Sequence, residues 1–237
     1  MAEPQAGAVS SPTETFIASV LELRPRLAVF DCDGTLWEGD GGKDFLYWEA
    51  QYGLLPELVA KWALPRYAAY QRGEVDEETM CGEMVALHSG IPVKDIETAA
   101  ETFVESVIEK RIFPEMQKLV FDLAKQGCDI WAVSSTNNWV IEAGVRRFGI
   151  PKERVLAAKV ECENGIATDR LIRVPTGDGK AAVIREVIKR SPDAVFGNSI
   201  HDAAMLEMAR NPFAINPNPD LLDLAGTRGW PVYQPIT

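Results

Sequence analysis

The chain has 237 residues, 46% hydrophobic and 25% charged, enough for one large domain or a core domain carrying a smaller insertion. Its 24 Lys and Arg against 35 Asp and Glu leave a formal net charge of −11. That balance argues against a general nucleic-acid or acidic-membrane binder, since both need a basic surplus, and says nothing against a small anionic substrate in a locally neutralised pocket.

Met1 to about Glu14 is small, polar and proline-bearing and is expected to be a flexible tail (1–14). It has no basic n-region and no apolar h-region, so secretion is not signalled. Leu27-Ala28-Val29-Phe30 is the first short apolar run bounded by turn signals, the pattern of a strand buried on both faces. From Trp37 to Ile112 the periodicity is helical, through Leu55, Val59 and Trp62 and then Phe103, Val104, Val107 and Ile108. Met116, Leu119, Val120 and Leu123 predict a further helix that Gly127 stops. Asp129 to Val133 is the second strand, and Val160 to Val174, with Asn164-Gly165, predicts a β-hairpin. Val183, Ile184, Val187 and Ile188 repeat the helical pattern, and Ala194-Val195-Phe196 begins a third apolar run that Gly197 ends.

Strands alternating with helices predict an α/β fold, a Rossmann-like parallel sheet of roughly five strands with helices on both faces. The helical interval after the first strand predicts an inserted cap domain (37–112) over the strand's carboxyl end, leaving 15–36 and 113–237 as the core. No run approaches the ~18 apolar residues of a spanning helix. Cys32, Cys81, Cys128 and Cys162 lie far apart without a CxxC pair, against a disulfide scaffold or structural zinc. A cytoplasmic protein is expected.

Four segments carry candidate chemistry. Asp31-Cys32-Asp33-Gly34-Thr35 leaves the first strand with carboxylates at i and i+2. They either converge on a hard divalent cation, most simply Mg²⁺, or merely end the strand with turn-forming residues. Ser134-Ser135-Thr136-Asn137 ends the second strand, as a phosphoryl cradle or as ordinary helix caps. Lys180 follows Gly177-Asp178-Gly179 and either neutralises clustered carboxylates or is a solvated surface residue. Gly197 to Asp202 offers Asn198 and Asp202 as oxygen ligands near the same sheet edge; His201 is either a pocket residue or, as is commoner beside a hard-metal oxygen site, structural or solvent-facing, and His88 is given a structural role.

In this order, DCDGT at 31–35, strand-terminal Ser134, Lys180 and GNSIHD at 197–202 resemble the haloacid dehalogenase superfamily of aspartyl-phosphate hydrolases. The resemblance spans about Arg26 to Pro231, and the insertion's placement is similar to the phosphoserine-phosphatase-like branch. It implies that Asp31 is the nucleophile and Asp33 the general acid and base, a second aspartate that dehalogenases usually lack. It also implies that Ser134 hydrogen-bonds a phosphoryl oxygen and Lys180 offsets the charge of Asp31 and the phosphate, with Ser135 and Thr136 binding substrate beside them. Mg²⁺ would be held by the Asp31 side chain, the Asp33 carbonyl and Asn198, with Asp202 in the outer shell. The family usually has aspartate where this chain has Asn198, so metal affinity should fall.

The implied substrate is a small phosphorylated metabolite, with no nucleic-acid or membrane partner, and the oligomeric state is left open. Asp40 lies where phosphoserine phosphatases place an acid for the substrate ammonium, and counting through the helices puts Gly82 where they carry an arginine for the carboxylate. This favours a phosphomonoester other than phosphoserine, one with an amine but no carboxylate. Trp37, Tyr47 and Trp48 either help Asp40 hold an alkylammonium head or pack the insertion against the core. A phosphotransferase with the same intermediate and a degenerate ligand-binding protein are the alternatives.

Overall fold

Ser11 opens helix α1 (Pro12–Glu22) in the computed structural model, which describes residues 11–236. Its hydroxyl accepts the Glu14 N–H while the Glu14 carboxylate accepts the Ser11 N–H, with proline in the first turn. This capping box corrects the expected tail: residues 12–14 are helical, and 1–10 lie outside the described residues.

Strand β1 (Leu27–Phe30) follows, then helices α2 (Gly41–Tyr52), α3 (Glu57–Gln71), α4 (Glu77–Ala86), α5 (Val93–Phe103) and α6 (Pro114–Lys125). Strand β2 (Asp129–Asn137), helix α7 (Asn138–Val145) and strands β3 (Val155–Glu163) and β4 (Ile166–Arg173) come next. Helix α8 (Asp178–Val183), strand β5 (Ala194–Gly197), helix α9 (Ala203–Glu207), strand β6 (Asn211–Ile215), helix α10 (Pro219–Arg228) and strand β7 (Val232–Tyr233) complete the order.

The sheet runs β4-β3-β2-β1-β5-β6-β7 and is parallel throughout except for β3–β4. It is thus a larger sheet than the five expected strands. The extra strands, β6 and β7, start at Asn211-Pro212 or span only two residues, and neither shows a long apolar run. The hairpin forms as expected, and Asn164 and Gly165 turn it with φ of +50° and +79°. Its first strand begins earlier, at Val155, because that end pairs in parallel with β2.

Alternation along β1 divides the interior. Ala28 and Phe30 face one side, with α1, α6 and α7; Leu27 and Val29 face the other, with Val183, Met205, Leu206 and Leu221. Stacked rings of Phe30, Phe196 and Phe213 run across three adjacent strands, with centroids 4.3 and 5.0 Å apart.

Among the described residues, the stretch between β1 and α6 is helical and turn-like, with Trp37 bridged to Ile112. Leu46, Leu55, Ala63, Tyr67, Met80 and Met84 pack there into a cluster of their own. Buried Glu49 and His88 join α2 to the end of α4 through a 2.9 Å contact, the structural role expected of His88. No helix among the described residues is long and apolar enough to cross a membrane.

Candidate active site

The carboxyl ends of β1, β2 and β5 converge because β1 lies between the other two, and the chain departs from β1 in opposite directions across the sheet. Such a reversal opens a crevice at the strand ends. Asp31, Asp33, Ser134, Ser135, Thr136, Lys180 and Asn198 all line one cavity of about 230 Å³ there. Asp202 lies behind it, fully buried.

Lys180 is the electrostatic centre. Its Nζ donates to Asp31 Oδ1 at 2.7 Å and to Asp202 Oδ1 at 2.6 Å, so the solvated-lysine alternative is ruled out. Against the downward pull of burial, the charges of Asp202 and Asp31 hold Lys180 above its ordinary pKa. Asp31 is pushed up to about 7, by burial first and the Asp202 charge next, with Lys180 opposing. Its other oxygen accepts the Thr35 hydroxyl at 2.9 Å. Asp202 Oδ2 accepts the Asn198 and Ser199 N–H groups, both at 2.9 Å, and so fixes the loop after β5.

Asp33 turns toward the segment that follows β1. Oδ1 accepts Trp37 Nε1–H and Gly41 N–H, and Oδ2 accepts the Thr136 hydroxyl, each at 2.7 Å. Burial above all, and then the Asp40 charge, raise Asp33 to about 6 against these donors. Ser134 Oγ accepts the Thr136 N–H at 3.1 Å. β2 extends through this polar segment to Asn137, whose side chain caps α7 by accepting the Val140 N–H. Capping thus falls to Asn137, and Ser134 is left facing the cavity.

The far wall differs from expectation. Helix α4 presents Glu77, Met80, Cys81 and Met84 at i, i+3, i+4 and i+7, while a β-carbon on Gly82 would meet Leu171 of the hairpin at 3.1 Å. Gly82 therefore faces the hairpin and is not among the cavity's lining residues. Among the described residues, those that line the cavity include no arginine. Trp37 is fully buried and positions Asp33, Trp48 packs against Phe45 and Phe103, and Tyr47 is exposed. The cavity's rings are instead Tyr67 and Tyr70 of α3. Asp40 lines the cavity but caps α2 through the Lys43 N–H at 2.8 Å and accepts the Tyr67 hydroxyl at 2.9 Å.

Glu77 escapes sequence reasoning, and His201, for which the sequence favours a structural or solvent-facing role over a pocket one, lines the cavity. The His201 Nδ1 pairs with Glu77 Oε2, joining the loop after β5 to α4. Against the upward push of burial, the bond to His201 holds Glu77 below its ordinary range, and the same bond raises His201. An acid behind an Asp76 N-cap looks like any first-turn helix acid, so nothing in the sequence marks Glu77. Burial raises the Cys81 thiol, which leaves it a poor nucleophile beside the aspartates.

A model of the haloacid dehalogenase-like hydrolases matches residues 28–207. The chain is 24% identical over 217 residues to histidinol-phosphatase of Neisseria meningitidis, covering 87% of this chain and 97% of that protein. It is 26% identical over 216 residues to phosphoserine phosphatase SerB1 of Mycobacterium tuberculosis, covering 86% of this chain and 69% of the relative. Among solved structures, a protein of unknown function from Bordetella pertussis Tohama I superposes with a TM-score of 0.74 at 26% identity, over 88% of this chain and 97% of that one. A phospho-aspartyl intermediate analogue of phosphoserine phosphatase gives a TM-score of 0.59 at 16% identity, over 88% and 92%, a likeness of fold. The family match spans β1 to α9 and takes in all of the buried carboxylate–lysine centre, so the chain belongs to the haloacid dehalogenase-like hydrolases.

Proposed function

We propose that this hydrolase is a Mg²⁺-dependent phosphatase that cleaves small organic phosphomonoesters through an aspartyl-phosphate on Asp31. The observation that carries the reading is the buried Lys180 held between Asp31 and Asp202. An amine fixed there balances a carboxylate and an incoming phosphoryl group in a site that excludes bulk water. The phosphatase names of the relatives support the same reaction class.

Among the described residues, no three His, Cys, Asp or Glu side chains gather as a self-sufficient metal cage. The donors present suit Mg²⁺ nonetheless: the Asp31 carboxylate, the Asp33 carbonyl and the Asn198 amide oxygen are all hard ligands, and Mg²⁺ commonly completes its shell with water and phosphate. Burial first and the Asp202 charge next raise Asp31, and a cation beside it would oppose both. Bound there, the cation supplies charge neutralisation for the phosphoryl oxygens.

Asp31 attacks phosphorus in line, forming the acyl-phosphate bond as the ester P–O bond breaks. Asp33, raised to about 6, gives its proton to the departing alkoxide, then takes one from the water that attacks the intermediate. Phosphate leaves and Asp31 is restored. Ser134 and Lys180 hold the phosphoryl oxygens, Thr136 and Trp37 orient Asp33, and Asp202 positions Lys180 and Asn198 from behind. The helical insertion, 37–112, serves as a cap that walls the leaving-group side through α3 and α4.

Acid-quenched turnover of p-nitrophenyl phosphate in Mg²⁺, followed by peptide mapping, should place one phosphoryl group on Asp31. Asp31→Asn should abolish both label and turnover. A label on another residue, or an active Asp31→Asn enzyme, would overturn the mechanism.

A further inference from the structure

A carboxylate offers about four lone-pair positions to donors. Three of those on Asp33 are filled at 2.7 Å: two on Oδ1, by the Trp37 indole and the Gly41 N–H, and one on Oδ2, by the Thr136 hydroxyl. An indole and a backbone N–H can only donate, so Oδ1 has no place for a proton. The open position is on Oδ2, beside the Thr136 hydroxyl. Thr136 lines the cavity and is fixed in turn, its N–H donating to Ser134 Oγ at 3.1 Å.

The first turn of α2 closes on this group, and glycine is what lets it approach. Gly41 and Gly42 are both buried there. A β-carbon on Gly41 would stand 2.7 Å from Asp33 Oδ1, and one on Gly42 would stand 2.8 Å from Thr136 Oγ1. Neither oxygen can step aside freely, since Trp37 holds the first and Asp33 the second. Neither glycine has φ in the left-handed region, so the backbone does not demand glycine at either place. Alanine is also the better helix former. The missing side chains therefore serve the two groups they face.

We infer that Gly41 and Gly42 are positioning residues for proton transfer: by letting α2 close on Asp33 and Thr136 they fill Oδ1 and leave Oδ2 to carry the proton. The ester oxygen keeps the electron pair of the breaking P–O bond and takes the proton from Oδ2. In the second step water gives a proton back to Oδ2 as its oxygen bonds phosphorus, and Asp31 departs with the electron pair of the acyl-phosphate bond. This rests on the phosphatase reading above.

The test compares kcat/KM for p-nitrophenyl phosphate, whose alcohol leaves without a proton, with that for the best cleaved of ethyl, aminoethyl and glyceryl phosphate, whose alcohols need one. Gly41→Ala and Gly42→Ala should each lose about a hundredfold on the alkyl ester and less than about threefold on p-nitrophenyl phosphate. With p-nitrophenyl phosphate, kcat should still fall and a burst of p-nitrophenol should precede turnover, because hydrolysis of the intermediate needs Asp33 as base. Both variants should melt near wild type. Gly226→Ala, in α10 with open space around the added carbon, should leave both esters unaffected.

Equal losses on the two kinds of ester overturn the inference, as does alkyl ester cleavage within about threefold of wild type in either variant. So does a variant that melts well below wild type, which would give these glycines a role in the fold. Wild type that cleaves p-nitrophenyl phosphate and no alkyl ester makes no use of an acid and overturns it too. In each of these cases the phosphatase reading stands. Folded wild type that releases phosphate from none of these esters in Mg²⁺ overturns that reading instead.

Discussion

A β-carbon added to Gly34 would stand 1.9 Å from the Asn198 Nδ2, so the loop after β1 and the loop after β5 touch at a point that admits no side chain. Gly34 also has φ of +76°, in the left-handed region. Two independent constraints thus require glycine between Asp33 and Thr35. Gly34→Ala should lose about 1–2 kcal/mol of stability and about a hundredfold in activity, because the displaced Asn198 and Asp33 belong to one constellation. The Gly34→Ala/Asn198→Ala double variant removes the clash, since Asn198 Cβ lies 3.5 Å from the added carbon, but keeps the strain. It should recover part of the stability in urea denaturation and none of the activity. Full activity in the single variant would show that the contact is slack.

The amide at 198 offers an oxygen but no charge. Asn198→Asp should therefore reach half-maximal activity at a lower Mg²⁺ concentration than wild type, by roughly tenfold. Chelation should silence both enzymes, and added Mg²⁺ should restore them. Equal half-saturation in a Mg²⁺ titration would remove Asn198 from the metal site.

Glu49 is buried against His88, and burial raises its pKa above the ordinary glutamate value despite that partner. Because the folded state binds its proton more tightly than the unfolded chain, this contribution to stability is complete below about pH 4 and fades as pH rises through the raised pKa. Glu49→Gln keeps a hydrogen-bonding group without the charge. Its stability relative to wild type should grow from pH 4 to 8, measured by denaturation at each pH. A difference that is flat or shrinks with pH would mean the carboxylate is ionised in the fold at little cost.

Legibility followed burial. β1 and β5 stand out as short runs buried on both faces, and α6 as a repeat of apolar positions facing the sheet. Ser134 to Asn137 looks like the start of a helix because its side chains are polar, yet β2 continues through it under the pairing of Ser134 with Ala157 and Asn137 with Ala158. β6 and β7 lack a run long enough to register. The difference is one of scale: local composition reports which residues avoid water, not which neighbours complete a ladder.

The same division holds at the site. Asp31, Asp33, Ser134, Lys180, Asn198 and Asp202 stand out as candidates only through their joint order and its resemblance to the family, since each alone also suits a turn, a cap or a surface position. Only the tertiary structure decided what faces them. The rotation of α4 turns Glu77 and Met84 inward and Gly82 toward Leu171, and the loop after β5 carries His201 onto Glu77. Which face of a helix meets a cavity depends on a packing angle set by residues far apart along the chain, and a count of positions carries no record of that angle.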